Sequence, residues 1–388
     1  MDFDLIKMPM KRQLILNARV ITKGKVLPDH CIEITDGKIT QILPCSQVQD
    51  LEKEVEIFDA CGAYAAPGMI DLHIHGFAGF GPELGTEQAL LDMSLALAQE
   101  GVTAFCPTLY CGKPEDMLRL VKNTIGAFGQ EKGSHILGYH LEGPFISPQK
   151  PGVMKPQDIA PVDLNVLQEL YNAAQGRIAN MTAAPELPNI TALAEWCKER
   201  NIVLQSGHTN ATYEEFLQGV NLGMTHATHL FNAMSSFNHR APGAAGAVLM
   251  HPEISAEIIA DGVHVHPDLV AFLRRIKPIE NLILVTDALL PTAQKNPPFY
   301  ANREEVVFDG GVWKRKADGV IAGSALTMMQ GVKNLVRFGY TLPEAIACAS
   351  TNPARLLSLR TKGLFADGYD ADIVIFDKEF RIIKTFIA

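Results

Sequence analysis

The sequence has no long basic run. Its 34 Lys and Arg against 43 Asp and Glu leave a formal charge of -9 at pH 7, which argues against a nucleic-acid partner or an anionic membrane surface. Nor is there an apolar stretch of bilayer-spanning length. The first residues, interrupted by Asp2, Asp4, Lys7, Lys11 and Arg12, form no signal-peptide pattern, so neither membrane insertion nor export is expected. The seven cysteines are odd in number, scattered, and nowhere spaced Cys-x-x-Cys. Neither a disulfide framework nor a zinc ribbon is expected, and a reducing, cytoplasmic setting fits. A Gly-x-Gly-x-x-Gly turn is also missing, which weighs against a doubly wound nucleotide-binding sheet.

What is present is a chain of 388 residues, 47% hydrophobic, long enough for one large domain and a small one. Residues 13–66 read as short strands separated by glycine-containing turns, and 372–376 and 381–386 have the same character, which predicts one small antiparallel β unit built from both ends. Residues 1–11 carry no clear pattern and read as an extension. Between the ends the pattern alternates. Candidate strands fall at 69–73, 102–107, 136–142, 177–183, 202–206, 224–229, 256–261 and 282–287. Candidate helices lie at 87–100, 114–128, 162–174, 190–200, 213–221 and 267–276, with Pro114 and Pro267 at first-turn positions. Eight strands with intervening helices predict an α/β fold: a (β/α)8 TIM-type barrel over 68–359, with a small β-sandwich domain from 1–67 and 360–388.

Polar residues collect at the C-terminal ends of those strands. They are His73 and His75 on the first, Glu142 on the third, His208 just past the fifth, His229 on the sixth, Asp261 on the seventh and Asp287 on the eighth. Any one of them alone is as well explained as a helix cap or an ion-pair partner. In a barrel, however, all of these ends converge on one face. Histidines and a carboxylate without a thiolate suit a divalent metal, zinc first, with iron, manganese, cobalt and nickel as alternatives. Glu142, His208 and His229 make a three-ligand set, and His73 with His75 offers a second, so one ion or two are expected. Such an ion acidifies bound water and polarises a carbonyl, which points to hydrolysis of an amide or ester. Asp287 is the candidate to take the water's proton and return it to the departing nitrogen.

Six ordered blocks carry a resemblance. Pro67-Gly68-Met69-Ile70-Asp71-Leu72-His73-Ile74-His75 opens the series, followed by His140-Leu141-Glu142-Gly143-Pro144-Phe145 and Ser206-Gly207-His208-Thr209. Thr228-His229-Leu230-Phe231-Asn232-Ala233-Met234, Asp261-Gly262-Val263-His264 and Val285-Thr286-Asp287 complete it. Together they resemble the N-acetylglucosamine-6-phosphate deacetylase family of the amidohydrolase superfamily, from about residue 14 to the end. The His-x-His is specific only to the superfamily; the Leu-Glu-Gly-Pro, His-Leu-Phe-Asn-Ala-Met and Asp-Gly-Val-His blocks are much narrower.

The resemblance implies Glu142, His208 and His229 as ligands of the main metal and Asp287 as proton shuttle, with metal-bound hydroxide as nucleophile. It implies substrate contacts from Val153, Asn232, Ala233, Arg240, Asp261, His264, Ile321, Ala322 and Gly323. The substrate implied is a small amino-sugar phosphate, and the assembly implied is a homodimer with the phosphate end of the site near the partner. One departure bears on specificity: Met154 stands where the family pattern has a substrate-facing histidine, and a thioether can neither donate a hydrogen bond nor carry a proton. A deacylase of a related sugar phosphate, such as the galactosamine isomer, is therefore a second reading. A non-catalytic barrel is the third.

Overall fold

A computed structural model of the chain describes residues 6–7, 12–48 and 55–388. Apart from the two-residue strand Ile6–Lys7, the expected N-terminal extension lies outside the described residues. Eight parallel strands pair in chain order: β1 (Met69–Ile74), β2 (Val102–Leu109), β3 (Tyr139–Glu142), β4 (Ile178–Ala183), β5 (Val203–Ser206), β6 (His226–Ala227), β7 (Ser255–Ile259) and β8 (Leu282–Val285). A parallel bridge from Ile74 to Ala288 brings the first strand back beside the last, giving the nearly closed TIM-like barrel that the strand count predicts. β1, β2 and β8 are buried along their whole length, as strands covered on both faces must be.

A helix follows each strand: α1 (Glu87–Gln99), α2 (Pro114–Thr124), α3 (Leu164–Ala173), α4 (Ile190–Glu199), α5 (Tyr213–Asn221), α6 (Gly243–Met250), α7 (Pro267–Ile276) and α8 (Met328–Arg337). Local chemistry sets where they begin. Asp163 accepts from the backbone N–H groups of Asn165 and Val166, Thr212 and Glu215 close a capping box on α5, and Pro114 and Pro267 open their helices, each satisfying or removing an orphan donor of the first turn. Two shorter helices, Leu342–Ala349 and Thr351–Leu356, follow α8. None of the described helices is long and apolar enough to cross a membrane.

Two features of the barrel depart from expectation. The strand expected at 224–229 shrinks to His226–Ala227, because the chain turns into left-handed backbone at His229, φ 27°. Between β8 and α8 the chain also forms a three-stranded antiparallel sheet, Phe299–Ala301, Glu304–Asp309 and Val312–Arg315. Its Ala301, Val306 and Trp313 pack with Leu289 and Ala322, and the Trp313 Nε1–H donates to Thr292 Oγ1 at 3.2 Å. This sheet holds residues 321–323 against the barrel mouth.

The strands from the two ends form a separate sheet with its own apolar core, including Ile15, Ile32, Ile34, Ile373 and Ile375. Its pairing is mixed rather than purely antiparallel, since Glu56–Asp59 and Tyr64–Pro67 both run parallel to Gln13–Thr22. The cysteines also differ from expectation: Cys31 and Cys45 form a disulfide, while Cys61, Cys106, Cys111, Cys197 and Cys348 are free. The antiparallel register of Lys25–Thr35 with Lys38–Pro44 sets Cys31 opposite Leu43, which leaves Cys45 within reach across the strand pair.

Candidate metal centre and substrate cavity

The strand ends converge as the barrel requires. Glu142 Oε1 lies 3.1 Å from both His208 Nε2 and His229 Nε2, and those two nitrogens lie 3.2 Å apart. His75 Nε2 lies 3.1 Å from Glu142 Oε2 and 3.3 Å from Asp287 Oδ1. His73 Nε2 is 3.4 Å from Glu142 Oε1 and 3.5 Å from Asp287 Oδ1. Two candidate ligand groups result, Glu142–His208–His229 and His73–His75–Asp287, and all six residues are buried.

A divalent cation fits this donor set. Nitrogen lone pairs and carboxylate oxygens are crowded together out of water, where unpaired polar atoms are costly. His73 Nε2 nevertheless makes no hydrogen bond. Around it stand the carboxylate oxygens of Glu142 and Asp287 and the imidazoles of His75, His140 and His229, the environment of a metal ligand. The electrostatics agree. Burial disfavours charge on Glu142 and Asp287, yet the imidazoles around Glu142, His73 foremost, hold its carboxyl well below the ordinary range, and His73 and His75 lower that of Asp287 as well. His73 is in turn raised against its burial by Glu142, Asp287 and Glu257.

The backbone is bent to aim these groups. His208, His229 and Asp287 all have positive φ, 46°, 27° and 50°, a left-handed conformation that costs a non-glycine residue about 1–3 kcal/mol. Backbone hydrogen bonds hold the turns at His208 and Asp287. The His208 carbonyl accepts from Ser147 N–H at 2.8 Å, Asp287 N–H donates to the His73 carbonyl at 2.8 Å, and the Asp287 carbonyl accepts from Ser324 N–H at 2.7 Å. Gly323 is required beside them: with φ 49°, a Cβ there would stand 2.7 Å from the Asp287 carbonyl and 2.4 Å from Leu289.

The cluster forms the floor of a cavity of about 200 Å³. Of the residues singled out as substrate contacts, Val153, Asn232, Ala233, His264, Ile321 and Gly323 line it, and so does Met154. Three others are placed elsewhere. Asp261 does not reach the cavity but caps the loop, accepting from Val263 and His264 N–H at 2.8 Å and pairing with His264 Nδ1 at 2.6 Å. Burial opposes charge on His264, and Asp261 more than offsets it, so His264 is held above its ordinary value. Ala322 is buried in the contact between the inserted sheet and Leu289. Arg240 is exposed, outside the cavity of its own chain.

The structure also brings in residues that the motifs do not carry. The Tyr110 ring stacks on His75 with centroids 3.7 Å apart and planes 4° apart. The Lys150 carbonyl accepts from His208 Nδ1 at 3.0 Å, which fixes the tautomer that turns Nε2 toward Glu142. Glu257 lies behind His73, Nδ1 to Oε2 3.0 Å. Its signal in the sequence is a charged residue inside an otherwise apolar strand, Ser255-Ala256-Glu257-Ile258-Ile259.

Known proteins share this architecture and sequence. Residues 64–388 match the Amidohydrolase family. An N-acetylglucosamine-6-phosphate deacetylase of Lysinibacillus sphaericus is 33% identical, over 97% of this chain and 96% of its own. An N-acetylgalactosamine-6-phosphate deacetylase of Escherichia coli O157:H7 is 31% identical, over 95% and 96%. The crystal structure of N-acetylglucosamine-6-phosphate deacetylase from Pasteurella multocida superposes with a TM-score of 0.90 at 29% identity, covering 97% of this chain and 98% of that one. With a barrel mouth of histidines and carboxylates and relatives matched along nearly its whole length, the chain belongs to the amidohydrolase family.

Proposed function

We propose that this protein hydrolyses the acetamide of N-acetylglucosamine 6-phosphate, giving glucosamine 6-phosphate and acetate. The observation that carries the reading is the meeting of Glu142, His208 and His229 with Asp287 on the floor of a cavity whose wall also carries His264. Glu142, His208 and His229 would hold one divalent cation, zinc the first candidate, and His73 and His75 a second. Such a cation acidifies water and polarises a carbonyl oxygen. Asp287 accepts the proton of the attacking water and delivers it to the amide nitrogen as the carbon–nitrogen bond breaks, so the amine leaves neutral and the acyl group leaves as acetic acid, which gives up its proton to solvent as acetate. His264, charged through Asp261, and Asn232 bind the phosphate end, while the backbone at Val153, Ala233 and 321–323 shapes the sugar site.

Arg240 offers a planar fork suited to phosphate oxygens. Its exposed position outside its own cavity supports a homodimer in which the phosphate end lies near the partner. A phosphorylated sugar does not cross a membrane unaided, which supports a cytoplasmic setting. The deciding experiment is steady-state acetate release by the metal-loaded protein. Turnover of N-acetylglucosamine 6-phosphate is expected, and none with any N-acyl amino-sugar phosphate rejects the reading.

One observation favours a second substrate. Met154 is buried in the cavity wall, presenting a thioether to the substrate, and a relative named for the galactosamine isomer is 31% identical. A panel of both isomers separates the two: higher kcat/KM on the galactosamine phosphate transfers the assignment to it.

A further inference from the structure

Glu257, in the middle of β7, has no part in the chemistry above. It is fully buried, at 0% exposure, and a carboxylate in such a place needs partners that repay its lost hydration. It has them. Oε2 lies 3.0 Å from His73 Nδ1 and accepts the His229 backbone N–H at 3.1 Å, and Oε1 accepts from Gln205 Nε2 at 3.0 Å. His226 Nε2 lies 3.6 Å from Oε1. Gln205 is itself held, donating to Thr228 Oγ1 at 2.9 Å and accepting from Asn180 Nδ2 at 3.3 Å. The carboxylate therefore has little freedom to turn.

An ionised carboxylate only accepts, so the proton in the Glu257–His73 contact belongs to Nδ1 of the imidazole. In the neutral imidazole, the form that ligates a metal, the other nitrogen, Nε2, then carries the lone pair, and it is among the buried atoms that find no hydrogen-bond partner. It faces Glu142 Oε1 and Asp287 Oδ1, and His75 Nε2 approaches the same two carboxylates. We propose that Glu257 is a positioning residue for a second divalent cation, fixing His73 with Nδ1–H on its own carboxylate and Nε2 aimed between Glu142 and Asp287. The inference rests on the metal-hydrolase reading above and deepens it. The same Oε2 holds the backbone N–H of His229, so one carboxylate aligns the side chain of one ligand group and the main chain of the other. Partners of this kind behind a metal-bound histidine set its tautomer and its basicity.

The test is metal binding measured without substrate, so its outcome does not depend on which amide is cleaved. Zinc per chain is determined by mass spectrometry against a series of chelators of graded strength. Wild type is expected to hold two ions. Glu257→Gln, which keeps the shape and removes the charge, is expected to keep the first ion and bind the second roughly 10- to 100-fold more weakly, with the far-ultraviolet circular dichroism unchanged. An unaltered affinity for the second ion in Glu257→Gln, or a single zinc per wild-type chain at saturation, overturns the proposal. A second measurement needs no variant: histidine-selective 15N spectra of the zinc-loaded wild type are expected to show His73 protonated at Nδ1 and bound through Nε2, and the opposite tautomer overturns it. Two zinc ions held in this way without acetate release would leave the role of Glu257 standing and remove the substrate reading. Acetate release with one zinc, or with a second ion indifferent to Glu257→Gln, would do the reverse.

Discussion

The barrel axis and the terminal sheet are both buried, and they are made of opposite materials. Through the barrel runs a connected polar set: His140 bonds Thr108 and Thr182, Thr182 bonds Thr228, and Gln205 joins Thr228 to Glu257 and so to His73. The terminal sheet is filled with Ile, Val, Ala and Phe. The difference separates the tasks of the two regions. Dispersion and burial hold a sheet together without regard to the direction in which any atom points. A ligand cluster needs directions, which hydrogen bonds supply, and here they also hold three residues in left-handed backbone that regular strands avoid. Functional sites are where a sequence departs from what stability alone would select.

The sharpest way to break the comparison is to change one atom at the barrel mouth. Asp287→Asn is expected to lower kcat/KM by about 10²- to 10⁴-fold, the usual contribution of a proton-transferring group. The melting temperature should move by a few degrees at most, because the amide retains the shape of the turn. Activity lost only in proportion to folded protein would make Asp287 a structural residue. The complementary change is Ile32→Ala in the terminal sheet, where Ile32 has no exposed surface. A cavity of that size costs about 2–5 kcal/mol, read as the shift of the first unfolding transition in denaturant, while kcat/KM per folded molecule is expected to stay unchanged at 25 °C. A fall in kcat/KM would mean that the sheet helps to shape the mouth.

Legibility in the sequence divides along the same line. α5 and α7 have the bounds that their periodicity predicts, because Thr212 with Glu215 and Pro267 mark their starts. The candidate ligand residues were legible because each ends or follows an apolar strand in a dense motif. α6, Gly243–Met250, was not: its run of Gly, Ala and Val is buried on every side and shows no polar face to give it a period. α8 does carry the signal, with Thr327 as cap and Met328, Met329, Val332 and Leu335 on one face, but it stands some forty residues beyond β8, across the inserted sheet. Glu257 escapes because its meaning lies in His73, Gln205 and His229, which only the closed barrel brings to it. Asp261 was legible as important through its motif, but its place one layer behind the cavity was not.

That placement gives the smallest and most specific prediction. His264 is raised above its ordinary value, so its charged form is the one the fold favours. The charge is fully present below the ordinary histidine value and is lost only as pH rises through the raised one. KM for a phosphorylated substrate is therefore expected to stay flat through the ordinary histidine range in the wild type and to climb only as pH passes the raised value of His264. In Asp261→Asn the amide oxygen still accepts from Val263 and His264 N–H, so the loop keeps its shape, but the main charge that raised His264 is gone, leaving burial, which lowers it, opposed only by the weaker pull of Asp287. The climb in KM should then move to lower pH, with kcat little changed, and an unphosphorylated N-acetyl sugar should show no such shift. Identical pH profiles for wild type and Asp261→Asn would remove His264 from phosphate binding and reduce the Asp261–His264 pair to a loop clasp, of the same kind as the bonds that hold the terminal sheet.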